Sequence, residues 1–290
     1  MNEQLLSILR QLRLSGLAQT LDVRLQEALS HQLSHAEFLE LILQDELLVR
    51  QQRQISRRVK AALFRELKPL DQFDWSFNPS INRPQIFELA TCRFIRQSQD
   101  VLLLGPPGVG KSFLVQAIGY QAIKQGLTVL YRSIFDVVRD FLQEEALGDE
   151  AVLAKYLKPD LLIIDDMGMK QLAKRSGEFL FEIILRRYEV RSTMMTSNRP
   201  LEDWGKLLSD VPSATAILDR FLHHAQIVSL TGKSYRLRHR ALDNNRLASD
   251  GEKPSDESNP AISPAGSKKA KRGKRHDESD GESASAPCES

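Results

Sequence analysis

Gly105-Pro-Pro-Gly-Val-Gly-Lys111-Ser112 decides how this chain reads, because its flanks supply the context its chemistry needs. The apolar run Val101-Leu-Leu-Leu104 precedes it, and the helical pattern Phe113-Leu-Val-Gln-Ala-Ile118 follows it. The order is strand, glycine loop, helix. Across Gly105, Pro106, Pro107, Gly108, Val109 and Gly110 the glycines let backbone N–H groups turn toward one anion. The N-terminus of the next helix, with Phe113 in its first turn, adds a positive dipole end. Such a loop cradles a triphosphate, with Lys111 reaching the β- and γ-phosphates and the Ser112 hydroxyl ligating Mg2+. An ordinary Gly/Pro turn has no need of Lys-Ser directly after Gly110.

A second motif, Leu161-Leu-Ile-Ile-Asp165-Asp166, reads as a strand buried on both faces of a parallel sheet. Such a strand delivers its last side chains to the carboxyl edge, where ligands of open α/β sheets bind. Asp165 is the expected partner of Mg2+, through water, and Asp166 is placed to orient or deprotonate the attacking water. A third strand pattern, Ser192-Thr-Met-Met-Thr-Ser197, stops at Asn198-Arg199-Pro200. Alone, Asn198 would be a turn residue. At the carboxyl end of a strand beside the glycine loop, it can hold the lytic water or touch the γ-phosphate.

The rest of the chain is consistent with one α/β domain plus a smaller one. It has 290 residues, 41% of them apolar, and a net charge of +2. Two cysteines, Cys92 and Cys288, make no disulfide framework. The start Met1-Asn-Glu-Gln lacks a signal pattern, and no apolar run reaches membrane-spanning length, so a cytoplasmic location is expected.

The small net charge hides a division. Residues 1–49 hold seven acidic residues and three arginines; residues 50–68 hold Arg50, Arg53, Arg57, Arg58, Lys60, Arg65 and Lys68 against Glu66 alone. The whole stretch to about residue 68 reads as helical, with one stripe of Leu5, Ile8, Leu9 and Leu12 and another of Leu39, Ile42, Leu43 and Leu47. Gly16 and Ser34-His35 are the expected breaks. Positions 50, 53, 57 and 60 share one helix face, away from Ile55, Val59 and Ala62. That stripe, with Arg58, suits a phosphate backbone. A solvated helix face carries the same pattern, and charge alone does not choose between the two.

Residues 69–79, rich in proline and aromatics, read as an ordered linker packing on the nucleotide domain. A helix over Ile86–Phe94 should precede the first strand. Strands at Thr128–Tyr131 and Ile227–Leu230, and helices at Ile134–Leu142, 149–157, Ser176–Arg191 and Ala214–His223, complete an alternating pattern. Strands alternating with helices predict a parallel three-layer α/β domain. From about Ala248 the composition turns to Ser, Pro, Gly and charge, which predicts a disordered tail. Its basic block, Lys268–Arg275, is either a weak nucleic-acid or partner-binding element or part of a solubilising extension.

These motifs, with Tyr188-Glu-Val-Arg-Ser-Thr-Met-Met-Thr-Ser-Asn-Arg-Pro200 and Ala216-Ile-Leu-Asp-Arg220-Phe-Leu-His223, resemble the IstB family. These are AAA+ ATP-binding helpers of insertion-sequence transposases, related to the helicase loader DnaC. Leu12-Arg-Leu-Ser-Gly-Leu-Ala18 and Leu230-Thr-Gly-Lys-Ser-Tyr-Arg-Leu-Arg238 extend the likeness over about residues 1–240. The resemblance implies a five-stranded AAA+ sheet with the Asn198 strand between the glycine-loop and Asp165 strands. It also implies that Arg220 is an arginine finger completing the ATP site of a neighbouring subunit. A surface pair of Asp219 with Arg220 is the alternative.

Two departures from the broader AAA+ pattern stand out. Asp166 replaces the more usual Glu, which suits slow hydrolysis. Only about eighteen residues separate the last strand from the tail, too few for a helical lid, so Arg236 or Arg238 would substitute for a lid arginine.

The expected organisation is therefore a helical DNA- or partner-binding domain over 1–68, a linker with its leading helix over 69–98, an AAA+ ATPase domain over 99–248, and a tail over 249–290. The expected activity is ATP hydrolysis with Mg2+ by a homo-oligomer that binds duplex DNA, presents target DNA to a transposase and stimulates it. A replicative helicase loader and a non-hydrolysing nucleotide-binding scaffold are the alternatives.

Overall fold

A computed structural model describes residues 3–147, 149–169, 172, 174–204 and 211–238. The expected tail, its basic block and Cys288 lie outside the described residues. Met1–Asp243 forms one compact unit.

Alternation along the strands sets the architecture. In β1 (Asp100–Leu104), Val101 and Leu103 face one side of the sheet and Leu102 the other. In β3 (Leu161–Met167), Leu161 and Ile163 oppose Leu162 and Ile164; in β4 (Ser192–Ser197), Met194 opposes Met195. Strands that are apolar on both faces must be covered on both. With β2 (Val129–Ser133) and β5 (Ala225–Ser229) they form a five-stranded, wholly parallel sheet in the order β2-β3-β4-β1-β5. The Asn198 strand thus lies between the glycine-loop and Asp165 strands, as the resemblance implied.

In chain order the helices are α1 (Glu3–Gln11), α2 (Ser15–His31), α3 (His35–Ala62), α4 (Arg83–Ala90), α5 (Arg93–Arg96), α6 (Lys111–Lys124), α7 (Ile134–Leu147), α8 (Asp149–Leu157), α9 (Lys174–Arg187) and α10 (Val211–His223). One apolar layer joins α4, α6 and the end of α3 to the sheet, and the other joins α7 to α10. None of the described helices is long and apolar enough to cross a membrane.

The N-terminal helices are less apolar inside than their stripes suggest. Leu9 and Ile42 are buried with Leu17 and Leu21, but Leu5, Ile8, Leu12, Leu39, Leu43 and Leu47 are exposed. Helices this few meet along a narrow seam. At that seam Gly16 lets α2 approach α3, for a Cβ there would stand 2.8 Å from Val49 Cβ. Glu46, buried on α3, accepts the N–H groups of Gly16 (2.7 Å) and Leu17 (3.1 Å), satisfying donors left open at the start of α2. Ser34 caps α3 through a capping box with Glu37. From there α3 runs unbroken until Ile55, Val59 and Ala62 pack onto the sheet layer.

Arg187 ties the other layer together from inside the protein. It is fully buried, and donates to the carbonyls of Tyr156 (2.9 Å), Pro159 (2.9 Å) and Ser192 (2.5 Å) and to the Thr193 hydroxyl (3.1 Å). Burial pushes its guanidinium down to about 10, opposed by the nearby Asp100 carboxylate. Arg187→Met removes these donors while keeping an apolar stem, and should cost about 3 kcal/mol or more. Thermal unfolding checks this: a large fall in Tm is expected, and a Tm within about 2 °C of wild type would contradict it.

Candidate nucleotide-binding site

The glycine loop forms because only glycine fits where it bends. Gly108 has φ +84° and Gly110 φ +106°; a Cβ at the first would stand 2.1 Å from Ser234 Oγ, and at the second 2.8 Å from Phe73 Cε2. Lys111, almost fully buried at the start of α6, donates its Nζ to the carbonyls of Gly105 (2.7 Å) and Pro106 (2.9 Å). Burial lowers the Lys111 pKa, against the opposing pull of the Asp165 and Asp166 carboxylates. Among the described residues the ammonium is held by neutral carbonyls, which keeps its charge available to an anion in the loop.

A bulge separates the two acids. Ile164 pairs with Met195 and Met167 with Ser197, so β3 carries one residue more than β4 between those pairs. Asp166 takes up the irregularity with φ +63°. Asp165 is left fully buried, where it accepts hydrogen bonds from the Tyr131 hydroxyl (2.6 Å), the Thr196 hydroxyl and the Asp166 N–H (3.0 Å). Burial and the Asp165 charge push the Tyr131 hydroxyl well above its ordinary pKa, so it stays a donor. Asp166 instead lines the pocket and accepts a hydrogen bond from Arg65 Nη1 at 3.1 Å. Its pKa is raised by burial and by Asp165, with Arg65 opposing.

Asn198 follows β4 at the same edge. Its Nδ2 lies 2.9 Å from Met169 Sδ, and its buried Oδ1 has no partner among the described residues. Lys111, Ser112, Phe113, Asp166 and Asn198 meet around one pocket of about 380 Å3. Asp165 lies beneath that surface, not on it. Three of the roughly four acceptor positions of its carboxylate are filled, which leaves one on Oδ2 for a water.

Several pocket residues come from segments where, apart from Arg236, the sequence reading expected no part of the nucleotide site. Arg65 and Lys68, counted above with the basic stretch, line the mouth, and Lys68 Nζ lies 5.5 Å from the centre of the Phe113 ring. Phe73 and Phe77 from the linker face Tyr235 and Arg236 from the segment after β5. Asn78 joins the two segments, accepting the Lys233 N–H (2.9 Å) and donating to its carbonyl (3.0 Å). The expectation that the linker packs on the nucleotide domain holds: Phe73 meets Phe113 edge-on at 5.2 Å. Among the described residues no helical lid follows β5. Arg236 lines the pocket, whereas Arg238 pairs with Asp74 at 2.8 Å and packs on Phe77 and Tyr235.

Arg220 is not brought into this pocket. It is exposed on α10, its guanidinium 5.5 Å from the centre of the Tyr188 ring, and Tyr188 Oη is 2.6 Å from His223 Nδ1. In the basic stripe, Arg50 is tied to Glu46 (2.7 Å) and Arg53 to Ser15 (2.5 Å), while Arg57 and Lys60 are exposed and Arg58 is half-buried. Arg50 therefore serves the α2–α3 contact.

The model of the IstB-like ATP-binding proteins matches residues 7–243. This chain belongs to that family. A protein of Geobacillus stearothermophilus named as an ATP-binding protein of insertion sequence IS5376 is 36% identical over 247 residues, 85% of this chain and 98% of the relative. One of Pseudomonas aeruginosa, named for insertion sequence IS21, is 36% identical over 234 residues, 80% of this chain and 88% of the relative. Among solved structures, the DnaC helicase loader matches at 22% identity and TM-score 0.43, over 54% of this chain and 97% of that one.

The donor set suits a nucleoside triphosphate with Mg2+: a glycine cradle closed to any Cβ, a buried ammonium, a hydroxyl, a carboxylate pair and an unpartnered amide oxygen. Lys111→Ala should weaken ATP binding by more than about 30-fold, from at least ~2 kcal/mol for a buried charge contact. Titration with a fluorescent ATP analogue measures this; affinity within about threefold of wild type would contradict it.

Proposed function

We propose that this protein is an ATP-hydrolysing helper of transposition. It oligomerises on duplex DNA through its nucleotide sites, delivers target DNA to a partner transposase and stimulates it. The observation that supports this most directly is the split of the polar groups. Lys111, Ser112, Asp166 and Asn198 share one pocket, while Arg220 stands exposed outside it. A site with a cradle and an acidic pair but no arginine of the α10 type fits completion by a neighbour. The two relatives named for insertion sequences support the transposition setting.

Each residue then has a role. The glycine loop and Lys111 hold the β- and γ-phosphates. Mg2+, held by Ser112 and through water by Asp165, would neutralise phosphate charge. Asp166 orients the attacking water and accepts its proton, as Asn198 Oδ1 fixes that water or Nδ2 meets the γ-phosphate. Phe73, Phe77 and Tyr235 offer an aromatic wall to the base, and Arg236 a cation in place of the lid arginine. Arg220 reaches the γ-phosphate of the adjacent subunit, where a guanidinium spreads two hydrogen bonds over its oxygens. Water attacks the γ-phosphorus, and ADP leaves. ATP binding favours assembly, and hydrolysis releases or remodels it.

A mixing experiment tests the shared site. Arg220→Ala alone should bind ATP yet turn over about 10³-fold more slowly, and Asp166→Asn alone should bind ATP without turning over. Together they should recover activity, because one of the mixed interfaces has both an intact acid pair and an arginine. Co-assembled mixtures that stay inactive would place Arg220 within its own subunit.

DNA affinity should fall steeply with salt. Each phosphate contact contributes about 0.9 to the slope of log K against log salt, so Arg57→Ala/Lys60→Ala should flatten that slope by about 1.8. An unchanged slope would return the stripe to a solvated helix face.

A further inference from the structure

The proposed DNA stripe and the acidic pair are joined by one continuous piece of chain. α3 carries Arg57 and Lys60 on its exposed side and packs Ile55, Val59 and Ala62 onto the core. Its 28 residues make a rod about 42 Å long at 1.5 Å per residue. The helix ends sharply at Leu63, held left-handed at φ +59°. Two residues on, Arg65 Nη1 lies 3.1 Å from Asp166 Oδ2. The Arg65 guanidinium also lies 6.0 Å from the centre of the Tyr131 ring, whose hydroxyl holds Asp165. The next residue, Glu66, is anchored by its N–H on Gln116 Oε1 (3.1 Å), and Gln116 in turn donates to the Ser112 carbonyl (2.9 Å). Four residues therefore separate Lys60 on the stripe from a cation seated on the proposed water-orienting acid.

We propose that Arg65 is a positioning residue that holds Asp166 away from the attacking water until DNA bound along α3 withdraws it. This rests on the ATPase and DNA-binding roles proposed above. While paired to Arg65, the outer oxygen of Asp166 is turned toward the end of α3 and engaged by a cation. Its remaining acceptor capacity cannot be aimed freely at a water. The contact is poised to break: at 3.1 Å it sits at the long end of the range for an N–H···O bond, and packed helices shift by about 1–2 Å in switching proteins. Arg65 is half-exposed, and ion pairs in contact with water are weakly held, so a few phosphate contacts on α3 suffice to displace it. The arrangement makes turnover conditional on the polymer that the protein assembles on.

Steady-state ATPase rates of the full chain with and without duplex DNA test this. A positioned base contributes roughly 10²- to 10⁴-fold, so partial release of Asp166 in Arg65→Ala should raise the DNA-free kcat about tenfold. KM for ATP should stay unchanged, and added DNA should then stimulate less than about twofold. Arg65→Lys, which keeps a cation beside Asp166, should restore a DNA-free rate within about threefold of wild type. A DNA-free kcat that is unchanged or lower in a folded Arg65→Ala protein, or a raised KM, would overturn the proposal and make Arg65 a phosphate contact or a structural pair. A wild-type protein without turnover in either condition would overturn the ATPase reading, and this inference with it.

Discussion

A carboxylate taken fully out of water at the end of a central strand is the constraint on which the site depends. Asp165 is tolerated there because β2, β4 and its own neighbour each turn a donor toward it: Tyr131, Thr196 and the Asp166 N–H. An unpaired charge at that depth would cost several kcal/mol. Those donors exist only if β3 lies between β2 and β4, so the strand order and the buried acid specify each other. The same requirement places the bulge, since Asp166 can give its N–H inward only if its side chain leaves outward.

Once Asp165 is fixed, the rest of the pocket is assembled from its surroundings. The glycine loop lies one strand beyond β4, which brings Lys111 into the field of both carboxylates and sets Asn198 at the edge between them. Polar groups here are arranged around a space rather than satisfied by one another. Among the described residues Lys111 rests on two carbonyls, Asn198 Oδ1 has no partner, and the Asp166 carboxylate is met by a half-exposed arginine. A protein selected for stability alone would close such groups on one another; a ligand site keeps them apart.

Much of this was legible in the chain because it is local. A glycine loop between an apolar run and a helical pattern, and acids ending a continuous apolar strand, report their own backbone geometry. Strands β1, β3 and β4 accordingly fall where the pattern put them. Residues that act across long separations were not legible. Arg65 lies 101 positions from Asp166 and reads as one more cation in a basic stretch. Tyr235 reaches the pocket on the segment after β5 that Asn78 pins from 155 positions away, a contact not legible in the chain although Arg236 on the same segment was expected at the nucleotide. Amphipathic stripes also overstated burial in α1 and α3, since a leucine stripe specifies an apolar face and not what covers it. Arg220 lies beyond what one subunit can explain, because its proposed target belongs to another copy.

The central claim is that nucleotide in this pocket builds the DNA-bound assembly. Sedimentation velocity of the purified chain with duplex DNA, with and without ATP and Mg2+, measures that directly. The account predicts a large DNA-bound species with ATP, and free subunits or small complexes without it. An assembly of the same size in both conditions, or none in either, would contradict it.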